Sequence, residues 1–223
     1  MVIVPGSKNT MSDLKWMRQN GMEAAILKLA AANVPVLGIC GGYQMLGESI
    51  EDPDGEEGGG SLHGMGLLPV RTVFGKEKVQ TRVTGEILQN PGAGDGLFAA
   101  LSGSVFSGYE IHMGHTTGNG KNSFSRIRTL TNGSTEAEED WQADGAVCGN
   151  VAGTYVHGLF EDGSLTKNLC GALLSKKGIC AEALTQDYGA FKESQYDLLA
   201  EKVRKALDME QIYRMMEKQE GDR

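Results

Sequence analysis

Two apolar runs of the same kind constrain the fold of this chain more than any other feature. Val2–Val4 and residues 34–39 are short and rich in aliphatic side chains. Each run is followed by a turn that contains glycine, and then by residues of helical character. Such runs, bounded by turns, are typical of strands that are buried on both faces. The repeated order of strand, turn and helix predicts an α/β domain with a parallel sheet.

The remainder of the chain adds to this plan. Between residues 67 and 130, short alternating runs broken by glycines predict an antiparallel extension of the sheet. Residues 51–64 are acidic and rich in glycine, which predicts a loop, and residues 132–140 predict a polar surface excursion. Residues 145–156 return to buried strand character, and residues 164–175 predict a helix.

We expect residues 1–190 to form one domain and residues 191–223 to form an amphipathic helical extension. Thr10 and Asp13 fit a capping box, which predicts the start of the first helix. Val2–Val4 has the composition of a central strand, yet no element precedes it. The domain is therefore expected to lack its first strands.

Charge and composition exclude several classes of protein. The chain has 21 Lys and Arg against 29 Asp and Glu, a net charge of −8, so it lacks the basic excess of a nucleic-acid or polybasic membrane binder. No apolar run reaches the ~20 residues that span a bilayer, and no signal peptide is recognisable, so a cytoplasmic location is expected. The four cysteines are widely spaced, which predicts neither a metal site nor a disulfide framework. No phosphate-binding loop occurs, so no ATP site is expected in this chain.

Glycine is the unusual residue, at 32 of 223 positions, and it is concentrated around one cysteine. Gly38-Ile39-Cys40-Gly41-Gly42 has the form of a nucleophile elbow, in which small neighbours allow a strained turn between strand and helix. The helix N-terminus is expected to lower the pKa of the thiol. The N–H of Gly41 faces a developing oxyanion, and the loop at residues 5–7 is placed to supply a second donor. The alternative is a buried, inert cysteine.

A thiol nucleophile needs a base, and two histidines are candidates. His157 follows a buried strand and precedes a glycine, at an edge where catalytic groups lie. Along residues 108–114, Glu110 and His112 share one face of a strand, which indicates either a structural hydrogen bond or a substrate surface. His63 and His115 are expected to be solvated.

Together these segments resemble the class I, or triad, glutamine amidotransferase domains. More narrowly, they resemble the C-terminal domain of the cobyric acid synthase family of cobalamin biosynthesis. The likeness covers most of residues 2–175, and its most specific parts are Pro-Gly-Ser-Lys at 5–8, Cys-Gly-Gly-Tyr-Gln at 40–44, Gly-Tyr-Glu-Ile-His-Met-Gly at 108–114 and Gly-Thr-Tyr-Val-His-Gly at 153–158. The resemblance implies a flavodoxin-like fold with a central, mostly parallel sheet flanked by helices.

The resemblance also implies a role for each matching residue. Cys40 would attack the carboxamide of glutamine to form a γ-glutamyl thioester, with His157 as general base and acid. Gly41 and Gly6 would supply the oxyanion N–H groups, and Gln44 matches a position that contacts the glutamine substrate in related enzymes.

The chain departs from the triad pattern at one position. Most triad amidotransferases place a glutamate two residues after the histidine, whereas Leu159 stands there in this chain. The cobyric acid synthase family shares this absence. Glu161 and Glu110 are candidates to orient the histidine, His112 lies on the same strand face as Glu110, and a partner domain is a further source.

The resemblance places the rest of the reaction outside this chain. ATP and magnesium are expected on an N-terminal synthetase domain, in the same chain or in a separate one, and no cofactor is expected here. The acceptor of ammonia would be a corrinoid, adenosylcobyrinic acid a,c-diamide, which is amidated at four side chains to give cobyric acid. Two alternatives remain open: the glutaminase subunit of an enzyme that amidates lipid II, which has a similar elbow, and a non-catalytic amidotransferase-like module.

Overall fold

A computed structural model describes six ranges of the chain: residues 1–89, 91–118, 122–130, 141–161, 163–179 and 188–220. The predicted surface excursion at residues 132–140 lies outside these ranges. The chain divides into two compact units, Met1–Leu184 and Thr185–Arg223. The first unit contains two sheets and four helices within its described ranges.

The first sheet contains the two apolar runs from which the fold was predicted. Its strands are β1 (Val2–Val4), β2 (Val36–Ile39), β9 (Ala146–Cys148) and β10 (Val151–Thr154), in the order β1-β2-β10-β9. The first three run parallel and β9 runs antiparallel, in agreement with the predicted mostly parallel sheet. Because parallel strands end at the same edge, the segments after β1, β2 and β10 meet there.

Helices cover the first sheet as the sequence pattern predicts. They are α1 (Thr10–Gln19), α2 (Met22–Ala31), α3 (Gly41–Leu46) and, further along the chain, α4 (Gly163–Ser175). The predicted capping box at Thr10 is wrong, because Asn9 is the N-cap and its side chain accepts the N–H of Ser12 at 2.8 Å. The Thr10 hydroxyl instead donates to Gln44, which brings the two helices α1 and α3 together.

Strands lie where the antiparallel extension was predicted, but they form a separate second sheet, mostly antiparallel, with one parallel pair between β3 (Ser49–Asp52) and β5 (Arg71–Ile87). The strands of this sheet are β3 (Ser49–Asp52), β4 (Gly60–His63), β5 (Arg71–Ile87), β6 (Val105–Thr117), β7 (Ser125–Thr129), β8 (Gln142–Asp144) and β11 (Val156–His157). Its main path is β11-β6-β5-β3-β4, with β7 paired to β5 and β8 paired to β7. Residues 51–64 were predicted as a loop, but β3 and β4 pair there as a hairpin whose tip alone is irregular.

The core consists of two apolar clusters on opposite faces of the first sheet. Because successive side chains of β2 point to opposite faces, Val36 lies in one cluster and Leu37 in the other. The first cluster joins the sheet to α1, α2 and α3, with Leu14 and Leu46 fully buried in it. The second joins the sheet to β5, β6 and α4. Burial of each large aliphatic side chain stabilises the folded state by about 1.5–3 kcal/mol. The two clusters therefore hold the strands in place, and with them the sheet edge at which the loops meet.

The second unit contains two helices, α5 (Tyr188–Ala206) and α6 (Met209–Glu220). Within residues 191–220, the described part of the predicted extension, the chain forms two helices separated at Leu207 and Asp208. The side chain of Asp208 accepts the N–H of Gln211 at 3.0 Å, which caps the start of α6. Across the described ranges, no helix combines the length and apolar character that a membrane span requires.

Candidate active site

Cys40 has the strained backbone that the elbow motif predicts. It stands between β2 and α3 with φ 51° and ψ −110°, a positive φ that side chains other than glycine rarely adopt. Two backbone hydrogen bonds hold Cys40 in this conformation. Its N–H donates to the carbonyl oxygen of Thr154 at 2.8 Å, and its carbonyl oxygen accepts the N–H of Gln44 at 3.0 Å. A conformation that costs free energy and is fixed in this way is typical of a functional site.

The glycines around the elbow are required by close backbone approach. A Cβ on Gly42 would stand 2.0 Å from the carbonyl oxygen of Val4, and one on Gly38 would stand 2.7 Å from the Tyr43 backbone nitrogen. These distances are far shorter than a carbon atom allows, and neither contact involves a flexible side-chain end. The glycines of the elbow are therefore required by packing, at Gly42 against β1 and at Gly38 against the first turn of α3.

The loop after β1 brings Gly6 between the two predicted catalytic side chains. A Cβ on Gly6 would lie 3.0 Å from Cε1 of His157 and 3.8 Å from Cβ of Cys40. A Cβ on Gly41 would lie 2.8 Å from the backbone nitrogen of Ser7, so that amide also lies against the elbow. Gly6 and Gly41 were predicted as N–H donors, and Ser7 lies in the loop at residues 5–7 that was predicted to supply the second one. Ser7 is itself held by hydrogen bonds to Asp13 and Asn9.

Burial dominates the acidity of the thiol. It raises the pKa of Cys40 to about 11, which the N–H of Gly41 opposes and the charges of Glu57 and Glu110 increase. The expectation that the helix N-terminus leaves this thiol with a lowered pKa is therefore wrong, since desolvation of a thiolate outweighs one backbone donor. The protonated sulfur lies 3.5 Å from the carbonyl oxygen of Ile111, to which it donates.

His157 has the properties of a base. It lies on β11, half-buried, and its ring stacks on that of Tyr109 with centroids 5.2 Å apart and planes 8° apart. Burial lowers the pKa of His157, and the charge of His112 lowers it further. The imidazole is therefore neutral near pH 7, the form that can accept a proton.

Glu110 and His112 point away from solvent, on the strand face predicted for them. Their carboxylate Oε1 and imidazole Nε2 are 3.6 Å apart, and both side chains are largely buried. His112 Nδ1 lies 2.9 Å from the carbonyl oxygen of Gly114, so it is the donor, because a carbonyl only accepts. The His112 ring stacks on Tyr155 at 3.8 Å between centroids. These contacts favour the structural alternative for the pair. His63 and His115 are exposed, as predicted.

The other two predicted site residues differ in burial: Gln44 is buried and Glu161 is exposed. Gln44 is 2% exposed, its Oε1 accepts from Thr10 at 3.0 Å and its Nε2 donates to Tyr155 at 3.3 Å. Its contact with the substrate stays a prediction. Glu161 is exposed and follows Gly158, whose carbonyl accepts the Glu161 N–H at 2.9 Å.

An acidic turn that the sequence analysis did not assign to the site lies against α1. The buried carboxylate of Asp52 accepts the N–H groups of Glu56, Glu57 and Gly59 at 2.7–2.9 Å. Burial alone would raise the pKa of Asp52, but these donors more than offset it and lower the pKa. Glu57 then accepts the N–H of Met11 at 2.9 Å, so the turn caps the helix that follows the Gly6 loop. Only the glycine-rich sequence after Asp52 hinted at such a turn.

A second buried carboxylate supports the strand that leads to His157. Asp144 accepts the hydroxyls of Ser125 at 2.6 Å and Thr154 at 2.5 Å, and the N–H of Tyr155 at 3.0 Å. Burial raises the pKa of Asp144 even though these three donors favour its ionised form. The contacts lie where the chain leaves the first sheet at β10 and enters the second at β11.

Comparison with known proteins identifies the family. A sequence profile of CobB/CobQ-like glutamine amidotransferase domains matches residues 1–165. The chain belongs to this family. The match confirms the predicted amidotransferase fold class and the predicted resemblance, and it covers both Cys40 and His157.

Two longer relatives are similar to this domain over almost its whole length. It is 48% identical over 219 residues to the cobyric acid synthase of Ruminiclostridium cellulolyticum, a match that covers 97% of this chain and 41% of the relative. It is 45% identical over 221 residues to the cobyric acid synthase of Lachnoclostridium phytofermentans, a match that covers 97% of this chain and 42% of that relative. The chain thus spans about two fifths of the length of these relatives.

Two solved structures are also similar to this amidotransferase domain. A glutamine amidotransferase aligns with a TM-score of 0.41 at 18% identity, over 79% of this chain and 78% of that one. The PurLQS structure from Thermotoga maritima aligns with a TM-score of 0.44 at 19% identity, over 70% of this chain and 68% of that chain.

Proposed function

We propose that this domain is the glutaminase part of a cobyric acid synthase, with Cys40 as nucleophile and His157 as general base and acid. The observation that supports these roles is the position of Gly6, whose missing side chain lets the His157 ring and Cys40 approach the same α-carbon. The strained φ of Cys40, which presents its sulfur at the edge where three loops meet, supports the same roles.

The first half of the reaction transfers the glutamyl group to sulfur. His157 takes the thiol proton while the sulfur bonds to the carboxamide carbon of glutamine, and the carbonyl electrons move to oxygen. The N–H groups of Gly41 and of the loop at Gly6 and Ser7 donate to this oxyanion. When the carbon–nitrogen bond breaks, the imidazolium of His157 returns its proton to the leaving nitrogen, and ammonia departs from a γ-glutamyl thioester.

The second half restores the enzyme. Water attacks the thioester while His157 accepts one of its protons, and collapse of the intermediate releases glutamate and the Cys40 sulfur, which regains the proton. The acidities set the protonation states from which the reaction starts, and because they oppose free transfer of the proton from sulfur to imidazole, the transfer must accompany attack on the substrate. The pKa of the thiol, raised to about 11 by burial, keeps the proton on sulfur until a base takes it. The pKa of His157 is lowered by burial, so the imidazole is free to be that base.

The synthetase half of the reaction belongs to the part of the relatives that this chain does not cover. The 45–48% identity to cobyric acid synthases supports a corrinoid acceptor, adenosylcobyrinic acid a,c-diamide, whose carboxylates are activated with ATP and magnesium on the synthetase domain. Ammonia released at Cys40 would amidate four of these carboxylates. A cytoplasmic location for the assembled enzyme is part of the same proposal.

The proposal is tested by combining the chain with a synthetase domain and comparing two acceptors. With the corrinoid acceptor, ATP and glutamine, we expect glutamate release and amidation, both lost in Cys40→Ala and His157→Ala. Cys148→Ala, which alters an exposed cysteine, is the matched control and should retain both activities. Amidation of lipid II with its own synthetase partner, and not of the corrinoid, would contradict the proposed acceptor. Cys40-independent glutamine hydrolysis would contradict the mechanism.

A further inference from the structure

The histidine of this site lacks the acid that orients it in most triad enzymes. The position two residues after His157 is Leu159, which is 2% exposed and belongs to the second apolar cluster. A buried leucine accepts no hydrogen bond, so it fixes neither the tautomer nor the plane of the imidazole. The plane of the ring must therefore be set by another contact.

The ring of Tyr109 makes that contact. It lies against the His157 ring with centroids 5.2 Å apart and planes within 8° of parallel. Offset parallel stacking in this distance range is a favourable arrangement of aromatic rings. Tyr109 is 42% exposed, so its position is not explained by burial in the core.

The pairing of two strands brings the two rings together. In the antiparallel pairing of β6 with β11, Tyr109 stands directly opposite His157, so their side chains share one face. Gly108 allows the strands to approach, because a Cβ there would stand 2.2 Å from the His157 carbonyl oxygen. Gly158 has a φ of 78°, and a Cβ there would meet Cε1 of Tyr109 at 3.8 Å.

We propose that Tyr109 is the positioning residue for His157, and that its ring holds the imidazole plane in the orientation from which it exchanges a proton with Cys40. This inference rests on the proposed function. A flat π-face orients the neutral ring by contact, and it also attracts the imidazolium that forms when the thiol proton is taken. Tyr109 touches neither the proton nor the substrate in this role, and its hydroxyl is not required.

The test replaces Tyr109 with residues that keep or lose the flat face. Tyr109→Phe and Tyr109→Trp keep it, whereas Tyr109→Leu removes it at similar bulk. For Tyr109→Leu we expect kcat for glutamine hydrolysis to fall on the order of 10- to 100-fold with KM little changed, because misplacing a catalytic group affects the chemical step. Tyr109→Phe should stay within about threefold of the parent chain. Val105→Ala, at another exposed position of β6, is the control.

A second readout separates this inference from the proposed function. The rate at which iodoacetamide alkylates Cys40, followed on the Cys40 peptide by mass spectrometry, requires no glutamine, ATP or acceptor. His157→Ala defines the rate without the base, and Tyr109→Leu should move toward it while Tyr109→Phe does not. If the Leu variant matches the parent in alkylation and in kcat, Tyr109 has no positioning role. If the parent hydrolyses no glutamine but the alkylation pattern holds, the proposed function fails and the positioning role stands.

Discussion

Gly6 and His157 lie in contact, and a methyl group on Gly6 would fit only if the imidazole ring moved by a few tenths of an ångström. A Cβ on Gly6 would stand 3.0 Å from Cε1 of the imidazole. The contact joins the loop after β1 to the end of β11, two segments more than 140 positions apart in sequence. It is therefore the relationship on which the arrangement of the site depends most directly.

Gly6→Ala should reduce activity while leaving the fold intact. The methyl group would push the His157 ring by a few tenths of an ångström, and small displacements of a catalytic base are costly, so we expect kcat to fall on the order of tenfold or more. The thermal midpoint should change little, because the loop lies at the sheet edge. Steady-state kinetics and a melting curve measure the two effects, and unchanged kcat would show that the contact does not position the base.

Gly42→Ala should destabilise the fold itself. The added carbon would stand 2.0 Å from the Val4 carbonyl oxygen, and neither backbone can move without breaking the pairing of β1 with β2. We expect a loss of about 3 kcal/mol or more in the free energy of unfolding, measured with urea. Gly75→Ala is the control, since no atom lies within 4 Å of its Cβ position. Equal stability of the two variants would contradict the packing account of the elbow.

Glu110→Gln should make the Cys40 thiol more acidic. Burial is the main reason that the pKa of Cys40 is raised to about 11, and the negative charge of Glu110 adds to it. Removing that charge favours the thiolate, so the pH midpoint of Cys40 alkylation should move down. Glu86→Gln removes a charge that pairs with Arg126, and its midpoint should not move. An upward shift in Glu110→Gln would show that the carboxylate assists ionisation through His112.

Asp144→Ala should lower stability, because it leaves two hydroxyls and the N–H of Tyr155 buried without their acceptor. We expect a cost of about 2–4 kcal/mol. Burial raises the pKa of Asp144, so the folded protein retains a proton that the unfolded chain releases. Its contribution to stability therefore declines as pH rises from the ordinary carboxyl range toward the raised pKa. Asp144→Asn, which does not titrate, should remove this part of the pH dependence in urea unfolding measured at several pH values.

The elbow and the parallel sheet were predictable because their requirements are local. Two apolar runs, each ending in a glycine turn, specify buried strands, and glycines on both sides of Cys40 specify a tight turn whatever the rest of the chain does. The candidacy of Gly6 and His157 followed the same logic, since Gly6 lies in the turn after β1 and His157 lies between the buried run of β10 and a glycine. Their proximity then followed from the parallel order of β1, β2 and β10.

The parts that the sequence did not reveal depend on pairing between distant segments. The contact of Tyr109 with His157 is set by the register of β6 with β11, which no local pattern specifies. The hairpin of β3 and β4 lies in a stretch whose glycine content predicts a loop. The acidity of Cys40 was misjudged because the effect of a helix N-terminus is visible in sequence, whereas the extent of burial is not.

The central claim is that Cys40 forms a γ-glutamyl thioester, and it is tested most directly by acid-quenching the reaction with glutamine. Peptide mass spectrometry of the quenched protein, with the synthetase domain present, should find a glutamyl adduct on the Cys40 peptide. The adduct should be absent from Cys40→Ala, and it should form far more slowly in His157→Ala, which lacks the base that takes the thiol proton. Release of ammonia with no adduct on Cys40, or with the adduct on Cys148 or Cys170, would contradict the account.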